Sequence, residues 1–195
     1  MLAARALSAL AEDAASHAPL AASALGSLID LVAKGGAAGK VAMVALNRMA
    51  AGGKTEVLGA LASSPAAISA YVRELKGSRE EQVATMSALK HLTALPIARQ
   101  SIVDAGGLNG LVELATSPSM DQGAKDAAAL VLAALAAPPH TELVAASGGA
   151  AALIGVVAGT NQPDLTLSAA RALEQARARG RGRVRVRLAN PNPNP

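Results

Sequence analysis

The feature that most constrains this chain is a spacing. Leu46, Leu89 and Leu132 each open a Leu-x-x-apolar step (Leu46/Met49, Leu89/Leu92, Leu132/Leu135) at intervals of 43 residues. The step returns 41 residues later at Leu173/Ala176, and Leu7/Leu10 lies 39 residues before the first. Each step sits in an Ala-rich apolar run, and a second run with helical spacing precedes it. The copies of that second run are Leu25, Leu28, Ile29, Leu31; Ile68, Tyr71, Val72, Leu75, with its last apolar slipped by one; Leu108, Leu111, Val112, Leu114; and Ala150, Leu153, Ile154, Val156. A period of about 40 residues is the mark of a stacked array, in which one unit cannot bury its own apolar face and leans on the next.

What each unit is made of follows from composition. Hydrophobic residues make up 51% of the chain, yet there is one Tyr, no Phe and no Trp. A core without aromatics depends on close approach of small side chains. Alanine and leucine are strong helix formers, and β-branched residues are few, so the chain is read as all-α. The best-formed unit runs from Ile102 to Leu135: a short apolar segment, a Gly106-Gly107 break, an amphipathic run, a polar gap and an apolar third run. That order predicts three helices hinged on a glycine pair, because a sharp turn between packed helices favours φ > 0. The pair recurs as Gly148-Gly149, while earlier copies carry Ser23-Ala24 and Ser64-Pro65.

The expected parse is an orphan third helix at 1–11, then units at about 12–51, 52–94, 95–137 and 138–179, making a repeat array over 1–179. Pro96 and Pro138-Pro139 stand where first helices should begin, a position that tolerates proline. The pentapeptide Ala-Ala-Arg-Ala-Leu occurs at Ala3–Leu7 and again at Ala169–Leu173, which marks the N-terminus as repeat material. Residues 1–16 are rich in Ala and Ser like a transit peptide, but Glu12 and Asp13 run against that reading. The expected compartment is the cytoplasm or nucleus, with organellar targeting left open.

The segments IVDAGGLNGLVELATS and AAALVLAAL resemble the turn-glycine, second-helix and third-helix pattern of armadillo repeats, and four copies stand in register. HEAT repeats, paired helices of similar period, are the alternative; the Gly-Gly hinge after a short first helix favours armadillo. The resemblance implies a right-handed α-solenoid whose third helices line a concave groove, and hence a non-catalytic scaffold that binds an extended peptide or a helix of a protein partner. It also implies where contacts fall. Relatives that bind basic peptides carry a third-helix Trp and, four residues on, an Asn, on one helix face. Counted from the repeated leucines, those positions are Val44/Arg48, Ser87/His91, Leu130/Ala134 and Arg171/Gln175. None is Trp or Asn, although Asn47 comes one residue early. Without the amide ladder and the aromatic shelves that hold lysine stems, nuclear-import-adaptor function is not expected. Arg48 and Arg171 would repel a basic ligand. An array opening on a third helix also implies either a partial array or an N-terminal face that docks on something, another copy included; the partial array is favoured.

Motifs for other functions fall short. Gly52-Gly53-Lys54-Thr55 ends like a phosphate loop, but Arg48 occupies the place of its first glycine. In Gly35-Gly36-Ala37-Ala38-Gly39-Lys40 the lysine is followed by Val41 rather than a hydroxyl. Both fall where the repeat needs an interhelix turn. His17, His91 and His140 have no partner at metal-ligand spacing, and no cysteine is present. No catalytic residue, cofactor or metal is expected, and no apolar run reaches the length that spans a bilayer.

The charge of +4 belongs to the tail. Arg177, Arg179, Arg181, Arg183, Arg185 and Arg187 all follow the last acid, and without these six the 18 basic residues fall to 12 against 14 acids. Residues 180–195 leave the repeat pattern and are expected to be a disordered Arg/Gly then Asn-Pro tail. Arginine at every second position lies on one face of an extended strand. The alternative function is therefore a nucleic-acid-associated protein that grips RNA or DNA backbone through these arginines. No aromatic is interleaved to stack on bases, so sequence reading is not expected.

Overall fold

The computed structural model describes residues 23–189 together with Ala6, Ala9, Asp13, Ala15 and Pro19, with side chains described up to residue 179. The expected orphan helix at 1–11 and His17 lie otherwise outside the described residues. Among those described there is no strand, and eleven helices follow one another: α1 (Leu25–Lys34), α2 (Gly36–Ala51), α3 (Thr55–Ala62), α4 (Pro65–Glu74), α5 (Arg79–Leu92), α6 (Pro96–Asp104), α7 (Gly107–Thr116), α8 (Gln122–Leu135), α9 (Thr141–Ala146), α10 (Gly149–Gly159) and α11 (Pro163–Ala189). After the first pair, their lengths recur as short, medium, long: 8, 10 and 14 residues, then 9, 10 and 14, then 6, 11 and 27.

Several boundaries have a local cause. The glycine pair of the sequence divides its labour. Gly106 and Gly148 take φ of 78° and 85°, the left-handed turn. Gly107 and Gly149 open α7 and α10 for a different reason, since there is no room for a side chain. A Cβ on Gly107 would lie 2.8 Å from Ile102 Cγ2, and one on Gly149 would lie 2.6 Å from Val144 Cγ1 and 2.7 Å from its carbonyl oxygen. The copy at Ser64-Pro65 turns without glycine. The Ser64 hydroxyl accepts from the Ala67 amide and Pro65 fills the first turn, where no amide is needed. Ser78 opens α5 with a capping box, Glu81 reaching back to the Ser78 amide at 2.7 Å. Asp121 caps α8 through the Ala124 amide at 2.8 Å. Neither phosphate-loop look-alike forms such a loop: Gly35 is the break between α1 and α2 and Gly36 to Lys40 already belong to α2, while Gly53, at φ 67°, lies between α2 and α3.

The backbone divides into two compact units, residues 1–110 and 111–195. In the first, α1 packs on α2 and α4, α2 on α5, and α4 on α5 and α6, so third helix lies on third helix and second on second. In the second unit, α8 packs on α10 and α11, and α9 on α10 and α11. The repeated leucines Leu46, Leu89 and Leu132 are wholly buried, as are Leu28, Tyr71 and Leu111 on the second helices. The period in the sequence is thus a period in core packing.

The last helix departs from expectation. It continues to Ala189, past residue 180, where the tail was expected to begin. Helix propagation adds one hydrogen bond per residue once a nucleus exists, and arginine and leucine favour it. Two glycines, at about 1 kcal/mol each, do not stop an established helix, and the next proline is Pro191. Residues 190–195 lie outside the described residues. No described helix is long and apolar enough to cross a membrane.

Candidate partner-binding face of the third helices

The third-helix class, α2, α5, α8 and α11, carries the eight positions that the resemblance implied, and none of the eight is buried. On α2 every position from Val41 to Ala50 is buried or half-buried except Val44 and Arg48. Extended toward the N-terminus, this stripe adds Lys40, Ala37 and Gly36. Residues four apart share a face, so the exposed line is a single narrow strip between buried flanks. On α5 the strip is Glu80, Val83, Ser87 and Lys90, with His91 half-buried beside it. On α8 it is fainter: Ala127, Leu130 and Ala134 are half-buried and carry no charge. On α11, Arg171 and Gln175 are exposed within a wider exposed face.

Because α2 packs on α5, Val44, Arg48, Ser87 and His91 belong to neighbouring helices of the first unit. Leu130, Ala134, Arg171 and Gln175 stand likewise on the packed pair α8 and α11 of the second. The ring of His91 lies over the turn that follows α2, its Nδ1 3.7 Å from where a Cβ on Gly53 would be. Lys40 ties the α2 strip to the start of α5, its Nζ 3.0 Å from Glu81 Oε1. Glu81 is thereby held from both sides. The Ser78 amide, the Lys40 ammonium and the Ser78 hydroxyl together lower its carboxyl to about 2, and the same bond raises Lys40 above its ordinary value.

Asn47, the residue nearest to a ladder amide in the sequence, turns away from this face. It is buried, and its Oδ1 has no hydrogen-bond partner among the described residues. One residue is 100° of helix rotation, enough to move it from the strip into the packing of α2. Of the tail arginines, Arg177 and Arg179 are exposed on α11. Arg181, Arg183, Arg185 and Arg187 fall in the helical part whose side chains lie outside the described residues. Their alternation suits a strand, whereas a helix turns about 200° over two residues and does not gather such positions on one side.

Spacing alone missed two features. Lys40 and Val83 belong to the strips and lie four residues before Val44 and Ser87, so stepping back one more turn would have found them. The other had no sequence signal. Asp126 on α8 is 4% exposed, and its carboxylate accepts from Gln122 Nε2 at 2.8 Å, Thr160 Oγ1 at 2.8 Å and Gln162 Nε2 at 2.9 Å. Through these neutral donors it ties α8 to the loop between α10 and α11. No group of three or more His, Cys, Asp or Glu among the described residues is arranged to hold a metal.

No family model and no curated protein matches the chain. Solved structures do. An engineered protein matches with a TM-score of 0.71 at 27% identity over 90% of this chain, and a second with 0.58 at 26% over 90%. The chain spans 43% of the length of the first and 89% of the second. A designed armadillo repeat protein in complex with the peptide (KR)4 matches with a TM-score of 0.64 at 22% identity, covering 87% of this chain and 80% of that one. Another designed armadillo repeat protein matches with 0.58 at 21%, covering 89% and 92%.

Proposed function

We propose that this chain, an armadillo-like repeat protein by its fold, is a protein-interaction scaffold that binds a partner segment along the exposed strips of its third helices. The observation that carries the reading is the confinement of exposure on α2 to one line through Lys40, Val44 and Arg48, matched on the adjacent α5 by Val83, Ser87 and Lys90. A surface of that form suits an extended peptide or one face of a helix, which meets side chains spaced by a helical turn. The peptide complex of a designed protein of this fold lends the reading support.

The chemistry at the strips sets its limits. Val44 and Val83 are 43% and 46% exposed, large apolar side chains flanked by polar ones, which is the make-up of a small interface patch. Arginine and histidine stand where a basic-peptide binder carries amide and aromatic groups, so the partner segment is not a lysine- and arginine-rich one. A peptide library displayed against the immobilised chain tests this. Selected peptides should carry apolar residues and few cations, and should lose at least tenfold in affinity to a Val44→Glu/Ser87→Glu double variant that keeps wild-type helicity. Undiminished binding to that variant moves the site off the third helices. Tight binding of a (KR)4 peptide refutes the proposed selectivity.

A further inference from the structure

The two third helices of the first unit, α2 and α5, pack together and are tied at both ends. Near their starts, Lys40 Nζ lies 3.0 Å from Glu81 Oε1. Near their ends, His91 Nδ1 lies 3.7 Å from where a Cβ on Gly53 would be, in the turn that follows α2. The helices therefore run side by side in the same direction, and positions on them can be matched by level. At about 1.5 Å of rise per residue, Val44 stands about 6 Å beyond Lys40 and Val83 about 3 Å beyond Glu81. Arg48 stands about 12 Å beyond Lys40, and Lys90 about 13 Å beyond Glu81 with His91 next to it. Packed helices lie about 8–10 Å apart, close enough for one bound side chain to meet both at a given level.

The levels differ in chemistry. The first is self-compensated, since Lys40 and Glu81 pair and Glu80 is exposed beside them. The second is apolar, with Val44 and Val83 both half-exposed. The third is cationic: Arg48 and Lys90 are exposed and His91 is half-buried. No acid answers them from their own helices, because α2 contains none and α5 has none after Glu81. Among the described residues Lys90 makes no ion pair. A guanidinium carries five N–H donors, so an interaction that Arg48 makes within the chain leaves others to offer. Cations in a last turn also offset the helix dipole. That role accounts for each cation singly; it does not require that the two share a level or that exposed valines lie beneath them.

We infer that the third-helix strips of the first unit select a peptide segment carrying an aspartate or glutamate close to a bulky apolar residue. The carboxylate sits between Arg48 and Lys90, and the apolar side chain rests on Val44 and Val83. This rests on the proposed use of the third-helix strips and adds the charge and register of what they bind. On α2 the two levels are about 6 Å apart, the reach of two residues of an extended segment or of one helical turn. A nucleic-acid backbone would call for a continued row of cations, whereas the next level is apolar and the one after it holds Glu80.

Selection of a random peptide library on the immobilised 195-residue chain is the test. Selected peptides should hold an acid two residues from a bulky apolar one, or three to four away where they are helical. The tightest of them and its amide counterpart, with Asn for Asp or Gln for Glu, are then titrated against wild type and Arg48→Gln/Lys90→Gln. On wild type the amide should weaken binding about threefold to tenfold at low salt, and less at high salt. On the variant the two peptides should bind alike, because the opposing charges are gone. Both substitutions are at exposed positions, circular dichroism confirms the fold, and Lys90→Gln alone should show a smaller penalty than wild type if the double variant does not fold. Selected peptides without acids overturn the inference, and so does an amide penalty equal on wild type and variant. A single-stranded oligonucleotide that displaces the peptide from wild type but not from the variant also overturns it, since the cations are then a phosphate site. All three leave the groove reading standing where Val44→Glu/Ser87→Glu loses the peptide. Undiminished binding to that variant, or no selected peptide at all, removes the groove reading and this inference together.

Discussion

Two side chains carry the clearest consequences at the scale of single residues. Glu81 has its carboxyl lowered from about 4.5 to about 2 by the Ser78 amide, the Lys40 ammonium and the Ser78 hydroxyl. A carboxyl whose folded pKa lies below its unfolded one adds stability above the unfolded value and loses it as pH falls through the folded one. The chain should therefore lose part of its stability between about pH 4.5 and pH 2, and Glu81→Gln should flatten that part of the acid limb in thermal melts. If both proteins show the same acid dependence, the capping box and bridge do not hold the charge in solution. Tyr71, the only tyrosine, is fully buried, and its hydroxyl has no hydrogen-bond partner among the described residues. Burial pushes its phenol far above the usual range. The folded state thus resists ionisation while the unfolded state ionises near pH 10, so stability is present below pH 10 and declines above it. An unmet buried hydroxyl costs about 1–3 kcal/mol, whereas a ring without one leaves nothing unsatisfied. Tyr71→Phe should accordingly raise stability by about 1 kcal/mol in urea titrations, and a loss of that size would mean that the hydroxyl has a partner.

At the scale of helices and turns, the sequence was most legible where one residue type answers one geometric demand. Gly106 and Gly148 need φ > 0, and the spacing of the glycine pairs announced this. Their neighbours Gly107 and Gly149 are glycines for lack of space, which depends on Ile102 and Val144 lying beneath them and is a tertiary fact. The strip positions came from the resemblance, counted from the repeated leucines, and helical spacing extends them by one turn to Lys40 and Val83. Asn47 and Asp126 were not legible. Whether a polar residue faces solvent or core changes with 100° of rotation, and the partners of Asp126 lie 34 and 36 residues away in a loop without regular spacing. Glycine substitutions separate these demands. Gly149→Ala should destabilise by about 1–3 kcal/mol, since its Cβ meets backbone that cannot move cheaply. Gly59→Ala, inside α3 with nothing within 4 Å, should stabilise by about 0.5–1 kcal/mol through helix propensity alone. Equal and opposite shifts in thermal midpoint are not required, but a change of the same sign for both would show that the turn accommodates a methyl group.

For the whole molecule, the question is how far local damage spreads. In a stacked array, stability is a sum of terms within units and between neighbours, so an insult in one place need not reach the other end. The chain carries the means to measure this. Tyr71, with no Phe or Trp elsewhere, reports only on the compact unit of residues 1–110, while far-ultraviolet circular dichroism reports on every helix. Asp126 lies in the other unit, where its carboxylate gathers three neutral donors in a buried site. Asp126→Ala leaves the Thr160 hydroxyl and the Gln162 amide without an acceptor, a cost of about 2–3 kcal/mol. In a unit of this size that corresponds to a lower midpoint by on the order of 10 °C. The circular dichroism melt should therefore broaden and begin earlier, with the tyrosine midpoint unchanged within a degree or two. A tyrosine signal that falls in step with the helical signal would show instead that the two units unfold as one, with coupling between neighbours stronger than the loss at Asp126.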